Sequence, residues 1–150
     1  NKLIEESVDV VLPQAHDKGI SVSIRCEGFT ASADRGKIKQ VLLNLLTNAI
    51  KYNRENGQIV VHAQHTINHE SLPFVQVAVQ DTGYGIAKEH QKHMFEKFYR
   101  VADTAGFTQG TGLGLAIARH IVQGHGGQIT LESEQGVGST FAFTIPIAVR

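Results

Sequence analysis

Apolar and polar residues recur at helical spacing in some stretches of this chain and alternate in others, and the changes of period mark out its elements. Residues 3 to 18 place Leu3, Ile4, Val8, Val11, Leu12 and Ala15 at helical spacing, with Pro13 expected to kink or interrupt that helix and Gly19 to stop it. Ile20 to Ile24 alternates and reads as a strand. Asp34 suits the N-cap of a long helix from about Arg35 to Tyr52. Asn56-Gly57 signals a turn. Strands are expected at Gln58 to His65 and at Phe74 to Gln80, joined by a polar loop. Residues 88 to 99 read as helix and carry Met94, Phe95 and Phe98. A glycine-containing loop, Val101 to Gln109, leads to a helix ending near Gln123. Gly126-Gly127 then precedes strands near Gln128 to Ser133 and Thr140 to Ile145, with Gly136 and Gly138 in the hairpin between them. This order lacks the strict strand-helix alternation of a parallel doubly wound sheet. It predicts an α+β fold: a two-layer sandwich with a mixed, mostly antiparallel sheet and helices on one face.

Composition narrows the partners. With 150 residues the chain suffices for one domain, 1 to 150, and is too short for two ordinary ones. Its 14 basic and 14 acidic residues cancel, which argues against a nucleic acid or membrane surface held by bulk charge. Cys26 is the lone cysteine, so an internal disulfide and a cysteine zinc cluster are excluded, in keeping with a reducing, cytoplasmic setting. No apolar run reaches membrane-spanning length. Because Asn1 already stands inside a helical pattern, the chain is expected to be a domain excised from a larger protein.

Four segments carry candidate chemistry. Gly110-Thr111-Gly112-Leu113-Gly114-Leu115 opens directly into the helix Ala116 to Val122. Alternate glycines let backbone approach a ligand closely, and the free N–H groups and dipole of a helix start favour an anion such as phosphate. No Gly-Lys-Ser/Thr follows, so this is not a Walker loop, and G-x-G-x-G after a loop is not a dinucleotide fingerprint. The long helix is apolar on most of its surface but keeps a narrow polar stripe, Lys37, Gln40, Asn44, Asn48 and Lys51. An asparagine carbonyl is an oxygen ligand for Mg²⁺ and a lysine is a point charge for phosphate, although a solvated stripe explains the same pattern. Asp81-Thr82-Gly83-Tyr84-Gly85-Ile86 sets a carboxylate at a strand end, where it can accept from an exocyclic amine or simply make an Asx-turn. In Phe95-Glu96-Lys97-Phe98-Tyr99-Arg100 the phenylalanines read as core, and Lys97 and Arg100 as cations able to reach a terminal phosphate or as solvated charges.

The boxes NLLTNAIKY (44 to 52), DTGYGI (81 to 86), FEKFYR (95 to 100) and GTGLGLAIARHIV (110 to 122), followed by the tail HGGQITLESEQGVGSTFAFTIP (125 to 146), occur in that order. The chain closely resembles the catalytic, ATP-binding domain of bacterial sensor histidine kinases, of the GHKL superfamily with the Bergerat fold. The resemblance covers nearly everything from Asp34 onward. It implies ATP and Mg²⁺ as cofactors. Asn48 matches the asparagine that coordinates Mg²⁺ on the ATP phosphates, and Asn44 lies one turn before it. Lys51 and Tyr52 match nucleotide-contacting positions. Asp81 matches the aspartate that recognises the adenine amine, and Gly83, Gly85 and Ile86 the turn that lets the base approach. Arg100 and Lys97 match basic groups near the γ-phosphate. Gly110, Thr111, Gly112, Leu113, Gly114 and Leu115 form the second glycine box, the hinge of an ATP lid over 101 to 109. Thr140 matches a strand residue that shares a water with the adenine. Asn48, Lys51 and Arg100 are the expected catalytic residues.

Hydrolases of this superfamily carry a glutamate one turn before the metal asparagine, as general base on water. Here that position is Asn44, whose amide cannot take the proton. The resemblance therefore implies transfer of the γ-phosphoryl group to a histidine on a separate dimerisation domain, expected before residue 1 of the same parent protein, with a response regulator receiver domain downstream. His69-Glu70-Ser71-Leu72-Pro73 is one residue short of the phosphoacceptor box and lies in a loop between strands, so it is not the acceptor. The alternatives are a superfamily ATPase, a serine (anti-sigma) kinase, or a nucleotide-binding regulatory domain without transfer.

Overall fold

The computed structural model describes residues 2–27, 33–67, 70–97 and 114–147. In these the chain runs α1 (Lys2–Asp17), β1 (Ser21–Cys26), α2 (Arg35–Lys51), β2 (Gln58–Ile67), β3 (Pro73–Asp81), α3 (Lys88–Gln91), α4 (Gly114–Gly124), β4 (Ile129–Glu134) and β5 (Gly138–Pro146). The strands form one sheet in the order β1-β2-β3-β5-β4. Only β1 and β2 are parallel, and α2 is the crossover that a parallel pair requires. The other three pairs are antiparallel. This is the mixed α+β sheet that the hydrophobic pattern predicts.

Strand phase decides which side chains meet the helices. Ile59, Val61, Val75, Val77, Val79, Phe141, Phe143 and Ile145 are buried at alternate positions. Against that face α2 lies between α1 and α4, with Val41, Leu42, Leu45 and Leu46 almost wholly buried. The cap of α2 is as expected: Asp34 accepts from the backbone N–H of Lys37 at 3.0 Å. The backbone N–H of Asp34 also donates to His125 Nε2 at 3.1 Å, tying the start of α2 to the end of α4.

Two expectations are corrected. Of the kink or interruption expected at Pro13, the interruption does not occur: α1 runs on to Asp17. Pro13 and Asp9, whose carbonyl loses its partner, both lie on the exposed side, while Val8, Val11 and Ala15 are buried on either side of the proline. Packing therefore holds the helix against a local defect that water can solvate. Pro13→Ala should raise the unfolding free energy by about 2 kcal/mol, a recovered fraction of the roughly 3 kcal/mol that proline costs inside a helix. Denaturant unfolding checks this, and an unchanged midpoint would overturn it.

The helix expected over 88 to 99 is a single turn, Lys88–Gln91. Beyond it the backbone N–H groups of Met94 and Glu96 donate to the carbonyls three residues back, Gln91 and His93. These tight turns bury Met94 and set Phe95 edge-on to Phe141, at 6.1 Å between ring centroids. Gln91 Nε2 donates to the carbonyls of Ile86 (2.7 Å) and Ser133 (3.1 Å), anchoring the segment to β4. Phe98 lies outside the described residues.

α1 ends in a Schellman motif. Gly19, at φ +68°, donates to His16 O, and Ile20 donates to Ala15 O. Lys18 is consequently the C-cap residue, and its side chain turns toward the end of α2.

Candidate functional site

A cleft of about 400 Å³, open to solvent, lies between the last turns of α2, the end of β3 and the start of β5. Asn48, Tyr52, Asp81, Gly85, Ile86, Met94, Ser139 and Phe141 line it. Ile86, Met94 and Phe141 are buried apolar side chains, so the slot has greasy walls.

Asp81 is the charge in this slot. It pairs across the sheet with Ile59 on one side and Ser139 on the other, and its residue is only 6% exposed. Oδ1 accepts from the backbone N–H groups of Gly83 (2.9 Å) and Ser139 (3.3 Å). Both amides go to one oxygen, which leaves Oδ2 as the acceptor for a ligand. Burial lifts the carboxyl pKa to about 6, against the pull of the two amides in the other direction. A carboxylate oxygen facing an apolar slot suits a flat heteroaromatic ring bearing an amine.

The loop after Asp81 is held on three sides. Tyr84 donates its backbone N–H to Tyr52 O at 3.2 Å, and Tyr84 O accepts from Gly136 N at 2.7 Å. Ile86 N donates to Ser133 Oγ at 2.8 Å, and Ser133 Oγ lies 2.7 Å from Ser139 Oγ. Arg54 donates to Gly136 O at 2.9 Å and stands over the Tyr84 ring. Gly83 and Gly85 are expected to give room to a base. What crowds them is the protein itself: a Cβ at 83 would meet the Tyr52 carbonyl and Asp81 Oδ1, and one at 85 the backbone of Glu134 and Gln135.

The polar stripe of α2 runs from exposed Lys37 and Gln40 to half-buried Asn44, Asn48 and Lys51. Of these, Asn48 lines the cleft. Asn44 Nδ2 donates to Gly114 O at 3.0 Å, so this amide ties α2 to the first turn of α4. Asn48, Tyr52, Asp81, Gly85 and Ile86 thus come together as expected, with Gly83 bonded to Asp81. The other described residues expected at the site do not line the cleft itself. Leu115 is buried in the core through the apolar face of α4. Lys97 is exposed. Thr140 is one residue out of phase: β5 turns Ser139 and Phe141 toward the cleft and Thr140 toward the opposite face. Arg100, Gly110, Thr111, Gly112 and Leu113 lie outside the described residues. The sequence reading did not select Met94, Ser139 and Phe141 for the site. Running the alternation of Ile145, Phe143 and Phe141 one step further back would have found Ser139.

The sheet order and the three helices on one face define a two-layer α+β sandwich, with the carboxylate-ended slot beside α2. Residues 33–149 match the family of histidine kinase-, DNA gyrase B- and HSP90-like ATPases, and the chain belongs to it. The nucleotide-free catalytic domain of histidine kinase ThkA is similar throughout, at 34% identity and a TM-score of 0.82, covering 98% of this chain and 91% of that one. Full-length ShkA, solved in complex with AMPPNP, matches 99% of this chain and 30% of its own, at 31% identity and a TM-score of 0.82. The adaptive-response sensory kinase SasA of Prochlorococcus marinus strain MIT 9301 is 43% identical over 77% of this chain. Hybrid signal transduction histidine kinase B of Dictyostelium discoideum is 34% identical over 99% of it. The chain spans 30% and 8% of the length of these two relatives. It is thus an ATP-binding domain of histidine kinase type. No described helix is long and apolar enough to cross a membrane.

Proposed function

We propose that this domain binds Mg-ATP in the cleft and presents its γ-phosphoryl group to a histidine on a separate dimerisation domain of the same parent protein, as the kinase module of a two-component system. The observation that carries the reading is the carboxylate of Asp81, a largely buried residue on an apolar slot whose two backbone amides both bond Oδ1 and leave Oδ2 to a ligand. It would take the exocyclic amine of adenine, with Ile86, Met94 and Phe141 against the ring. Asn48 fits Mg²⁺, because an amide oxygen beside phosphate oxygens and water suits a hard cation that keeps part of its hydration. When bound, the ion would neutralise phosphate charge. Lys51 follows on the same stripe, and Arg100, Lys97 and the glycines at 110, 112 and 114 complete the proposed phosphate end. A response regulator is the proposed downstream partner; ThkA has been solved with its response regulator TrrA.

Transfer is favoured over rapid hydrolysis by Asn44. Its amide cannot accept a proton from water, and its Nδ2–H is committed to Gly114 O. Asn48→Asp, which sets a second anion beside the triphosphate, should disturb Mg²⁺-dependent affinity for a non-hydrolysable ATP analogue and abolish transfer to a supplied histidine-bearing domain. Titration calorimetry and a phosphotransfer assay test this. Transfer persisting in the variant would overturn the metal assignment, and a folded wild-type domain that binds no analogue would overturn the nucleotide reading.

A further inference from the structure

We infer that Lys18, at the C-cap of α1 and outside the cleft, is a positioning residue that holds the adenine end of the site in shape; this rests on the nucleotide reading above. Lys18 Nζ donates to three carbonyls at the end of α2: Ile50 (2.9 Å), Lys51 (3.1 Å) and Asn53 (2.8 Å). An ammonium has three N–H donors, and all three are used. The carbonyls of Ile50 and Lys51 are among those that a helix end leaves without intrahelical partners, that of Asn53 follows just after the cap, and a positive charge there also meets the negative end of the helix dipole. Partial burial draws the lysine pKa below its ordinary value, with Glu55 opposing.

The clamp is reciprocal. Lys18 O accepts from Asn56 N at 2.9 Å, and Ser21 N donates to Gly57 O at 3.1 Å, so the turn after α1 and the loop after α2 are stitched by both side chain and backbone. Gly19 is needed there, since a Cβ would run into the Asn56 side chain. The segment so fixed bears the cleft on its other side. Tyr52 lines the cleft and its carbonyl accepts from Tyr84 N. Asn53, fully buried, spans outward through Nδ2 to Gln58 O (3.1 Å) and through Oδ1 to Thr82 Oγ1 (3.4 Å). Tyr84 and Thr82 flank Gly83, whose amide holds Asp81 Oδ1. From the Lys18 ammonium to the Asp81 carboxylate the path alternates hydrogen bonds with short stretches of backbone, at 51–53 and at 82–84.

A lysine that merely stabilised the fold would lower the melting temperature without touching affinity. A positioning lysine lowers the fraction of molecules whose loop is competent, and the apparent dissociation constant rises in inverse proportion. Lys18→Met should therefore weaken Mg-ADP binding by about tenfold at a temperature where the variant is fully folded, taking the competent fraction down to about a tenth. It should also speed amide exchange at Asn53 and Tyr84. Lys18→Arg should restore most of the affinity. Val8→Ala, a core truncation in α1, should lower the melting temperature while leaving affinity unchanged. Wild-type affinity in Lys18→Met, or an equal loss in Val8→Ala, overturns the proposal. If Lys18→Met does not fold, Lys18→Gln serves in the same comparison. Exchange at Asn53 and Tyr84 is read without ligand: unaltered protection there overturns the role of Lys18, whereas no binding by wild type overturns the nucleotide reading instead.

Discussion

Asp81→Asn should make the nucleotide-free domain more stable and at the same time a poorer binder of adenine nucleotides. Burial raises the Asp81 pKa from 3.8 to about 6, so at pH 7 the folded protein holds a carboxylate that its surroundings disfavour. Two pKa units correspond to about 3 kcal/mol. Because the folded pKa lies above the unfolded one, the folded state binds more protons between the two values. The wild-type domain should then gain stability from this site as pH falls through 6 toward 3.8, and lack that gain at neutral pH. An asparagine keeps an oxygen for the amides of Gly83 and Ser139 and removes the charge. After the cost of burying an amide, a gain of about 1–2 kcal/mol at pH 7 is expected, together with loss of the pH dependence. Binding moves the other way. A hydrogen bond to a charged acceptor contributes about 1.5–3 kcal/mol against about 1 for a neutral one, so affinity should fall about tenfold. In wild type, affinity should fall as pH drops through 6, where Oδ2 gains a proton. Thermal melts from pH 4 to 8 and calorimetry with Mg-ADP check both arms. Equal affinities would remove Asp81 from the adenine site, and a lower melting temperature would show the carboxylate to be structural.

Most of the architecture was legible because it rests on local rules. Asp34 caps α2 through its own side chain, Gly19 ends α1 with a positive φ, and the strands announce themselves by alternation. The place of the carboxylate at 81 was legible too, at the end of an alternating strand, and the Asx-turn that the motif allows is present, with Oδ1 accepting from Gly83 N. What escaped depends on contacts distant in sequence. The continuity of α1 through Pro13 is decided by which side of the helix packs against α2. The brevity of α3 is decided by Gln91 reaching Ser133. Thr140 was taken from a matched motif, whereas the register Asp81↔Ser139 turns its neighbour toward the cleft. Asn44 reads as a site residue by spacing alone, yet its amide is spent on Gly114, 70 positions away. Lys18 shows no motif at all, and only the arrival of the α2 terminus beside it gives its ammonium three acceptors.

Gly83→Ala should eliminate detectable nucleotide binding, for a reason unrelated to flexibility. Gly83 does not have a positive φ, so alanine is not excluded by its backbone dihedrals. The obstacle is space: the added methyl would lie against the Tyr52 carbonyl, 2.9 Å from Asp81 Oδ1 and 3.0 Å from Asn53 Cα. Those atoms are the end of α2, the end of β3 and the ligand-facing carboxylate, so none can yield without moving the site. Overpacking of this kind costs about 1–3 kcal/mol, and here backbone rather than a flexible side chain must shift. Gly36 supplies the contrast. It stands in the first turn of α2, where a Cβ would meet only Asp34 Oδ1 at an ordinary 3.6 Å. Gly36→Ala should therefore add up to about 1 kcal/mol of stability by helix propensity and leave binding untouched. Calorimetry with Mg-ADP on both variants, below their melting temperatures, separates the two glycines. Wild-type binding by Gly83→Ala would mean that the end of α2 and the Asp81 loop can part by the width of a methyl group without disturbing the adenine contact, and the close approach could then not be what sets the carboxylate.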